Sequence, residues 1–178
     1  MFPIKINPFP GDIALFQVLN NFHSTIFDRI MLFTSTIGEW AIIWALIAFI
    51  IFLCDKKRGR GILFMTILAI IISSILNDAI LKTIFFRERP YLLIENVHQL
   101  GIRWINSSFV SGHTASSFAA AFVLIAYYKK FWYFFIFLAV LIAYSRIYLG
   151  MHYPSDIIGG IIIGALSAFI VFKISKKR

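Results

Sequence analysis

Residues 131–173 read FWYFFIFLAVLIAYSRIYLGMHYPSDIIGGIIIGALSAFIVFK. Two apolar runs, 131–149 and 156–173, border a short polar stretch. A bilayer's hydrocarbon core takes about 20 residues of helix to cross. The pair therefore predicts two membrane helices joined by a turn. Arg146, His152 and Asp156 stand at that turn. An ionisable residue among membrane segments is expensive and marks a functional site by default. Gly150 suits the end of the first helix, and Pro154 suits the first turn of the second, with Ser155 or Asp156 close to its cap. His152 and Asp156 are four apart, which allows a side-chain hydrogen bond. A carboxylate on one imidazole nitrogen fixes the tautomer and frees the other nitrogen to attack.

The rest of the chain has the same character. Of 178 residues, 60% are hydrophobic and only 14% charged, where a soluble domain carries about a quarter charged. Three further apolar runs, 37–54, 61–82 and 113–128, complete five expected spans. Upstream, 12–22 and 25–36 mix Asp, Asn, Gln and Arg with apolar residues, as amphipathic helices at a membrane interface do. The expectation is an all-α fold, a polytopic transmembrane helix bundle forming a single domain. Residues 1–36 would supply interfacial helices and 37–178 the transmembrane core. The N-terminus does not read as a cleaved signal peptide. Cys54 alone makes no disulfide and no cysteine metal site.

The formal charge of +9 is concentrated at segment ends. Lys56, Lys57, Arg58 and Arg60 form one cluster, Lys129 and Lys130 a second, and Lys173, Lys176, Lys177 and Arg178 a third. With alternating helices all three share one side, which the positive-inside rule makes cytoplasmic. The expected placement is a multi-pass one, with the C-terminus cytoplasmic and the 83–112 loop and 145–156 turn facing outside. No basic groove interleaved with aromatics occurs, so nucleic acid is not an expected partner. Gly160 and Gly164 have the G-x-x-x-G spacing of close helix packing within a bundle, and dimerisation through that face stays open.

Two more polar clusters fall on the outer side. KTIFFRERP (82–90) places Lys82, Arg87 and Arg89 at a helix end. Any one of them alone reads as a basic side chain reaching for headgroups. Pro90 argues that the helix has ended by Arg89. SSFVSGHTASS (107–117) puts a Ser-Gly pair before a helix, and a helix N-terminus attracts anions. His113 in the first turn reads, by itself, as a capping or interfacial histidine. Together the three clusters hold three candidate phosphate-binding cations, an anion-binding helix start and two histidines, one with a carboxylate partner. That set suits phosphoryl transfer, where catalysis is mainly positioning and charge stabilisation. Two His and one Asp are also a conceivable zinc set, but a metal would compete for the nucleophile.

These residues resemble the type 2 phosphatidic acid phosphatase family, membrane lipid phosphatases related to vanadium haloperoxidases. The family's Lys-x6-Arg-Pro is present as KTIFFRERP, and its Ser-Arg-x5-His-x3-Asp as SRIYLGMHYPSD (145–156). Its Pro-Ser-Gly-His is VSGH (110–113), with Val110 at the usual proline. The resemblance implies His152 as nucleophile, Asp156 as its orienting carboxylate and His113 as general acid. Lys82, Arg89, Arg146, Ser111 and the Gly112 backbone would hold phosphate. It implies a lipid phosphate or diphosphate as substrate and a phosphohistidine intermediate, with neither metal nor cofactor. Arg87 and Glu88 fall at the motif's variable positions and are left out of this set. Asp78, one turn before Lys82, is a possible partner for it, and the 91–109 loop with Arg103 and Trp104 a possible cover. Lipid A 1-phosphate is the first substrate reading, with undecaprenyl diphosphate and phosphatidylglycerophosphate behind it. Competing readings are a membrane anion transporter, a vanadate haloperoxidase and a lipid binder without catalysis.

Overall fold

The computed structural model describes residues 3–176. Lys177 and Arg178 of the third basic cluster lie outside the described residues. In chain order the structure contains β1 (Ile4–Lys5), α1 (Pro10–Asn20), α2 (Thr25–Gly38), α3 (Ile42–Cys54) and α4 (Gly59–Ser74). A π-helical turn, Ile75–Leu81, continues α4 into α5 (Lys82–Ile84), followed by β2 (Phe85–Phe86) and α6 (Pro90–Leu93). The remaining helices are α7 (Gly112–Tyr127), α8 (Trp132–Tyr148) and α9 (Pro154–Ser175). The protein is an all-α bundle. Thr25–Cys54, Gly59–Ile84, Lys129–Tyr148 and Pro154–Ser175 are long and apolar enough to cross a membrane, and Gly112–Tyr127 is a shorter apolar helix.

The first span differs from the expected 37–54. Helix α2 runs into α3 through Glu39–Ala41, where Trp40 and Ala41 have φ of 52° and 57°. The left-handed region is uncommon for residues other than glycine. The expected boundary at 36/37 thus falls inside one bent stretch, and its bend points at the cavity described below. Upstream, Ile4 and Lys5 pair in parallel with Phe85 and Phe86, and Lys5 bonds Glu88 at 2.9 Å. Nothing along the chain marks this small sheet, because two residues carry no alternation.

Helix α7 is the axis of the bundle. It is rich in Ala and Ser, and most of it is buried against α4, α8 and α9. A Cβ on Gly164 would lie 2.7 Å from the Ala115 carbonyl oxygen, and one on Gly160 would lie 2.8 Å from that of Ser111. The G-x-x-x-G spacing therefore serves close approach of α9 to α7 inside this chain. Outward-facing Phe137, Ile162 and Phe169 are each more than half exposed. This inside-out pattern suits a lipid environment, where the interior is set by small-residue packing rather than by burial of large apolar groups.

The helix ends sort into two groups. Residues 55–58 and 128 and the end of α9 lie at one end, and carry Lys56, Lys57, Arg58, Lys129, Lys130 and Lys176 there or close by. At the other end come the 85–111 segment and the 149–153 turn. Asn20 locks this second end. Its amide donates to the carbonyls of Tyr148 (2.8 Å), His98 (3.0 Å) and Ile147 (3.1 Å), and its oxygen accepts from the His98 N–H (2.8 Å). One side chain of α1 thereby satisfies carbonyls at the C-terminus of α8, which have no partner within the helix.

Candidate functional site

A cavity of about 450 Å³ opens at this second end, between α4, α7 and the α2–α3 bend. Lys82, Arg89, Gly112, His113, Arg146 and His152 all line it. Six of the eight residues expected from sequence thus converge from α5, the 85–89 segment, α7, α8 and the 149–153 turn. Asp156 and Ser111 stand behind the wall. Asp156 is completely buried next to His152. The Ser111 hydroxyl accepts from Thr114 at 3.0 Å, and its N–H donates to the Asp156 carbonyl at 3.1 Å. That bond ties the start of α7 to the start of α9.

The turn carrying His152 forms as the sequence suggests. Helix α8 ends at Tyr148, Gly150 takes φ of 72°, and Pro154 opens α9. A side chain on Gly150 would also collide with Val97, 2.7 Å from its Cβ position. The His152 N–H donates to the Arg146 carbonyl at 3.2 Å. His152 Nδ1 faces Asp156 Oδ2 at 3.5 Å without a hydrogen bond between them in this structure. The same Oδ2 accepts the Tyr153 N–H at 2.9 Å, so Asp156 also caps α9. Burial, reinforced by the cations of Arg89, Arg146 and Lys82, pushes the His152 imidazolium well below the ordinary histidine range. A neutral imidazole has a lone pair to donate.

Each cation is held by its own partners. Arg89 donates from Nε to the Asn106 carbonyl (3.2 Å), from Nη1 to the Met151 carbonyl (3.1 Å) and from Nη2 to Asn106 Oδ1 (2.7 Å). Arg146 is buried and donates to the Ser35 hydroxyl of α2. Lys82 pairs with Asp78 at 2.8 Å, the partner suggested by the one-turn spacing. Asp78 belongs to the π turn, and Asn77 donates to it at 3.0 Å. Such turns are frequent at functional sites because they re-aim side chains within a helix. Gly112 approaches this turn so closely that a Cβ there would lie 2.8 Å from Asn77 Nδ2. Helix α7 starts at Gly112, and the first N–H groups of a helix have no internal acceptor.

The walls away from the cations are apolar. Ile70 and Ile71 of α4, Ile75 of the π turn and Trp40 of the bend line the cavity as well. Trp104 and Asn106 close the opposite rim. The 91–109 segment therefore does reach the site through these two residues. Arg103 instead lies over the Tyr91 ring, 5.7 Å from its centroid, and donates to Gln99 at 2.8 Å. Val110 is buried against α9, with Phe109 3.3 Å from the Cβ position of Gly159.

Several site-building residues were not legible. Arg87 is completely buried and bonds both Asp12 and Asp156, although its place inside the first motif gave no reason to separate it from Glu88. The only local hint was one more cation than a surface-reaching role needed. Asn106, Asn77 and Ser35 are ordinary polar residues in sequence, and Glu39 and Trp40 sit in a stretch with no turn signal.

The arrangement brings an uncharged histidine, a second histidine and three cations around one pocket with an apolar flank. It is suited to gripping a phosphate whose substituent is hydrophobic. Comparison with known proteins agrees. Over 169 residues the chain is 33% identical to lipid A 4'-phosphatase of Porphyromonas gingivalis, covering 90% of this chain and 71% of that one. It is 28% identical over 155 residues to undecaprenyl-diphosphatase BcrC of Bacillus subtilis, covering 86% and 77%. It is 31% identical over 120 residues to bacitracin transport permease protein BcrC of Bacillus licheniformis, covering 67% of this chain and only 59% of that protein's length. The crystal structure of Aquifex aeolicus LpxE superposes with a TM-score of 0.84 at 31% identity, over 96% of this chain and 99% of that one. The PAP2 superfamily profile matches residues 58–178, which hold all three motifs. The chain belongs to the PAP2 superfamily, a family of phosphatases whose relatives here are named as lipid phosphatases.

Proposed function

We propose that this protein removes phosphate from a membrane lipid phosphate or diphosphate through a phosphohistidine intermediate, without a metal ion. The observation that carries the reading is the meeting of His152, His113, Lys82, Arg89 and Arg146 in one cavity with an apolar side wall. The neutral His152 attacks phosphorus with the imidazole nitrogen remote from Asp156. The bond to the lipid oxygen breaks, and His113, protonated once the phosphate's negative charge offsets the neighbouring cations, gives that oxygen its proton. Asp156 faces Nδ1 and stabilises the positive charge that develops on the phosphorylated ring. Water then attacks phosphorus, with His113 as base, and returns His152 with free phosphate. Lys82, Arg89, Arg146 and the N–H of Gly112 hold the phosphate oxygens. Ser111 belongs to the same set by motif, and its hydroxyl is turned to Thr114 in this structure.

His152→Ala should abolish phosphate release, since losing a nucleophile costs far more than losing one contact. Near-normal turnover in that variant would sink the mechanism. Activity should persist in excess EDTA, and a loss restored by a divalent ion would overturn the metal-free chemistry.

The proposed substrate is a lipid A phosphate, first of all the 1-phosphate. Support for lipid A comes from relatives named lipid A 4'-phosphatase, which speak for the lipid and not for its 1-phosphate, and from an apolar wall that suits acyl chains. A second reading, undecaprenyl diphosphate, rests on the relative named for that activity. A phosphate-release panel of lipid A, undecaprenyl diphosphate and phosphatidylglycerophosphate decides among them. One relative's name points to transport, but 61–74 of α4 and 114–127 of α7 carry no charged residue. An ion path through the bundle would need polar groups along its depth.

The proposed location is the bacterial inner membrane, with the site facing outside. Basic clusters at the end opposite the cavity support that orientation. The single cysteine, Cys54, is exposed at that basic end. A membrane-impermeant thiol reagent should leave it unlabelled in intact cells, and labelling there would reverse the orientation.

A further inference from the structure

Arg87 and Asp12 are buried charges with no task in the chemistry above. Arg87 Nη1 donates to Asp156 Oδ1 at 2.6 Å and to the Ser155 hydroxyl at 2.7 Å. Its Nη2 donates to Asp12 Oδ2. Asp12 in turn accepts the Ser155 N–H at 2.9 Å on Oδ1 and the Ser155 hydroxyl at 2.5 Å on Oδ2. Arg87, Asp12 and Asp156 are each 2% exposed or less. The guanidinium plane is braced by the Tyr153 ring, 4.4 Å from its centroid. Its backbone is fixed from both sides, by the Ser107 hydroxyl at 3.1 Å and the Ser108 N–H at 2.9 Å.

We propose that Arg87 and Asp12 are positioning residues for the reaction, holding the Asp156 carboxylate so that one of its oxygens faces His152. Arg87 occupies Oδ1, which leaves Oδ2 turned to His152 Nδ1. A carboxylate with one oxygen clamped cannot rotate away from its imidazole. Arg87 alone would neutralise Asp156 and blunt its ability to stabilise positive charge on the phosphorylated ring. Asp12 takes the other half of the guanidinium fork and leaves the buried trio with a net negative charge. Helix α1, far from the cavity in sequence, thereby becomes part of the catalytic support. Partners that orient a reacting group matter when they fix its geometry to within a fraction of an ångström.

The inference rests on the role proposed for His152, so His152→Ala is assayed beside the test variants. Arg87→Lys keeps the charge but loses the fork, and Asp12→Asn keeps the shape but loses the charge. Each is purified in detergent, and kcat and KM for the preferred lipid phosphate and the inhibition constant of inorganic phosphate are measured per folded enzyme. Arg87→Lys should lower kcat by about 30-fold and Asp12→Asn by about tenfold, within the range seen when orienting partners are lost. KM and the phosphate constant should stay within about threefold, because the phosphate-gripping cations are untouched. The double variant should fall little further than Arg87→Lys, since both act through one carboxylate. A merely structural role would lower yield and melting temperature and leave kcat per folded molecule alone. If both single variants keep kcat within about threefold of the parent, the positioning role is wrong. Should Arg87→Lys fail to fold, Asp12→Asn decides by the same criterion. An active His152→Ala would instead strike the catalytic assignment of His152, a result distinguishable from either.

Discussion

Replacing Gly112 by Ala tests the site at one point. The residue has an ordinary helical backbone, so alanine adds only a methyl group. That methyl would lie 2.8 Å from Asn77 Nδ2 and 3.9 Å from both Asp78 Oδ1 and Lys82 Nζ. Ordinary carbon contacts begin near 3.5 Å, so the Asn77 amide must retreat by about 0.7 Å. Its bond to Asp78, now 3.0 Å, then lengthens beyond hydrogen-bond range, and Asp78 is what holds Lys82. A hydrogen bond to a charged group contributes about 1.5–3 kcal/mol. Partial loss of one, at about 1.4 kcal/mol per factor of ten, predicts a 10- to 30-fold fall in kcat/KM. Gly112 is the first residue of α7, where alanine gains little over glycine, so the weakened bond should also lower thermal stability, by about 1–2 kcal/mol. The assay is phosphate release in detergent, with a melting curve on the same sample. Asn77→Ala makes room for the methyl group, so adding Gly112→Ala to it should cost little more. Activity of Gly112→Ala within about threefold of the parent would refute the argument.

Three other outcomes follow from the same geometry. The depressed His152 titration means that the histidine stays neutral to lower pH than a free imidazole. The acid limb of the kcat/KM profile assigned to it should therefore lie below 6.5, and a limb above that value would contradict a buried, cation-flanked His152. Asn20→Ala removes an amide that serves three carbonyls and one N–H. At about 1 kcal/mol per net bond it should destabilise by about 2–4 kcal/mol in denaturant titration. Asn106→Ala frees the Nη2 end of Arg89, and should raise KM for lipid phosphates by about 10-fold, the effect of one charged hydrogen bond, with a smaller change in kcat.

Much of the molecule was written along the chain. Apolar runs of span length and basic clusters at their ends are properties of consecutive residues, and they gave the helices 59–84, 112–127, 129–148 and 154–175 to within a few positions. Gly150 and Pro154 named the turn that carries His152, because a positive φ and a helix start each demand particular residue types. The pairs Asp78–Lys82 and His152–Asp156 are four apart and were visible for the same reason. The first span was misplaced because the bend at Trp40 and Ala41 uses residues without any intrinsic preference for a positive φ.

What the chain did not reveal was which distant residues hold these groups in place. Asp12 meets Arg87 across 75 positions, Arg87 meets Asp156 across 69, and Asn20 meets Ile147 across 127. No periodicity links such residues, and an arginine that reaches headgroups looks identical in sequence to one locked between two carboxylates. The sequence by itself determined a membrane bundle with the candidate site residues gathered at one end. The tertiary structure alone decided that Ser111 and Asp156 stand behind the cavity wall, and that Arg87 bonds both Asp12 and Asp156. Local patterns fix helices and their order, whereas the partner of a buried charge is set by which helices pack together, and that depends on the whole chain at once.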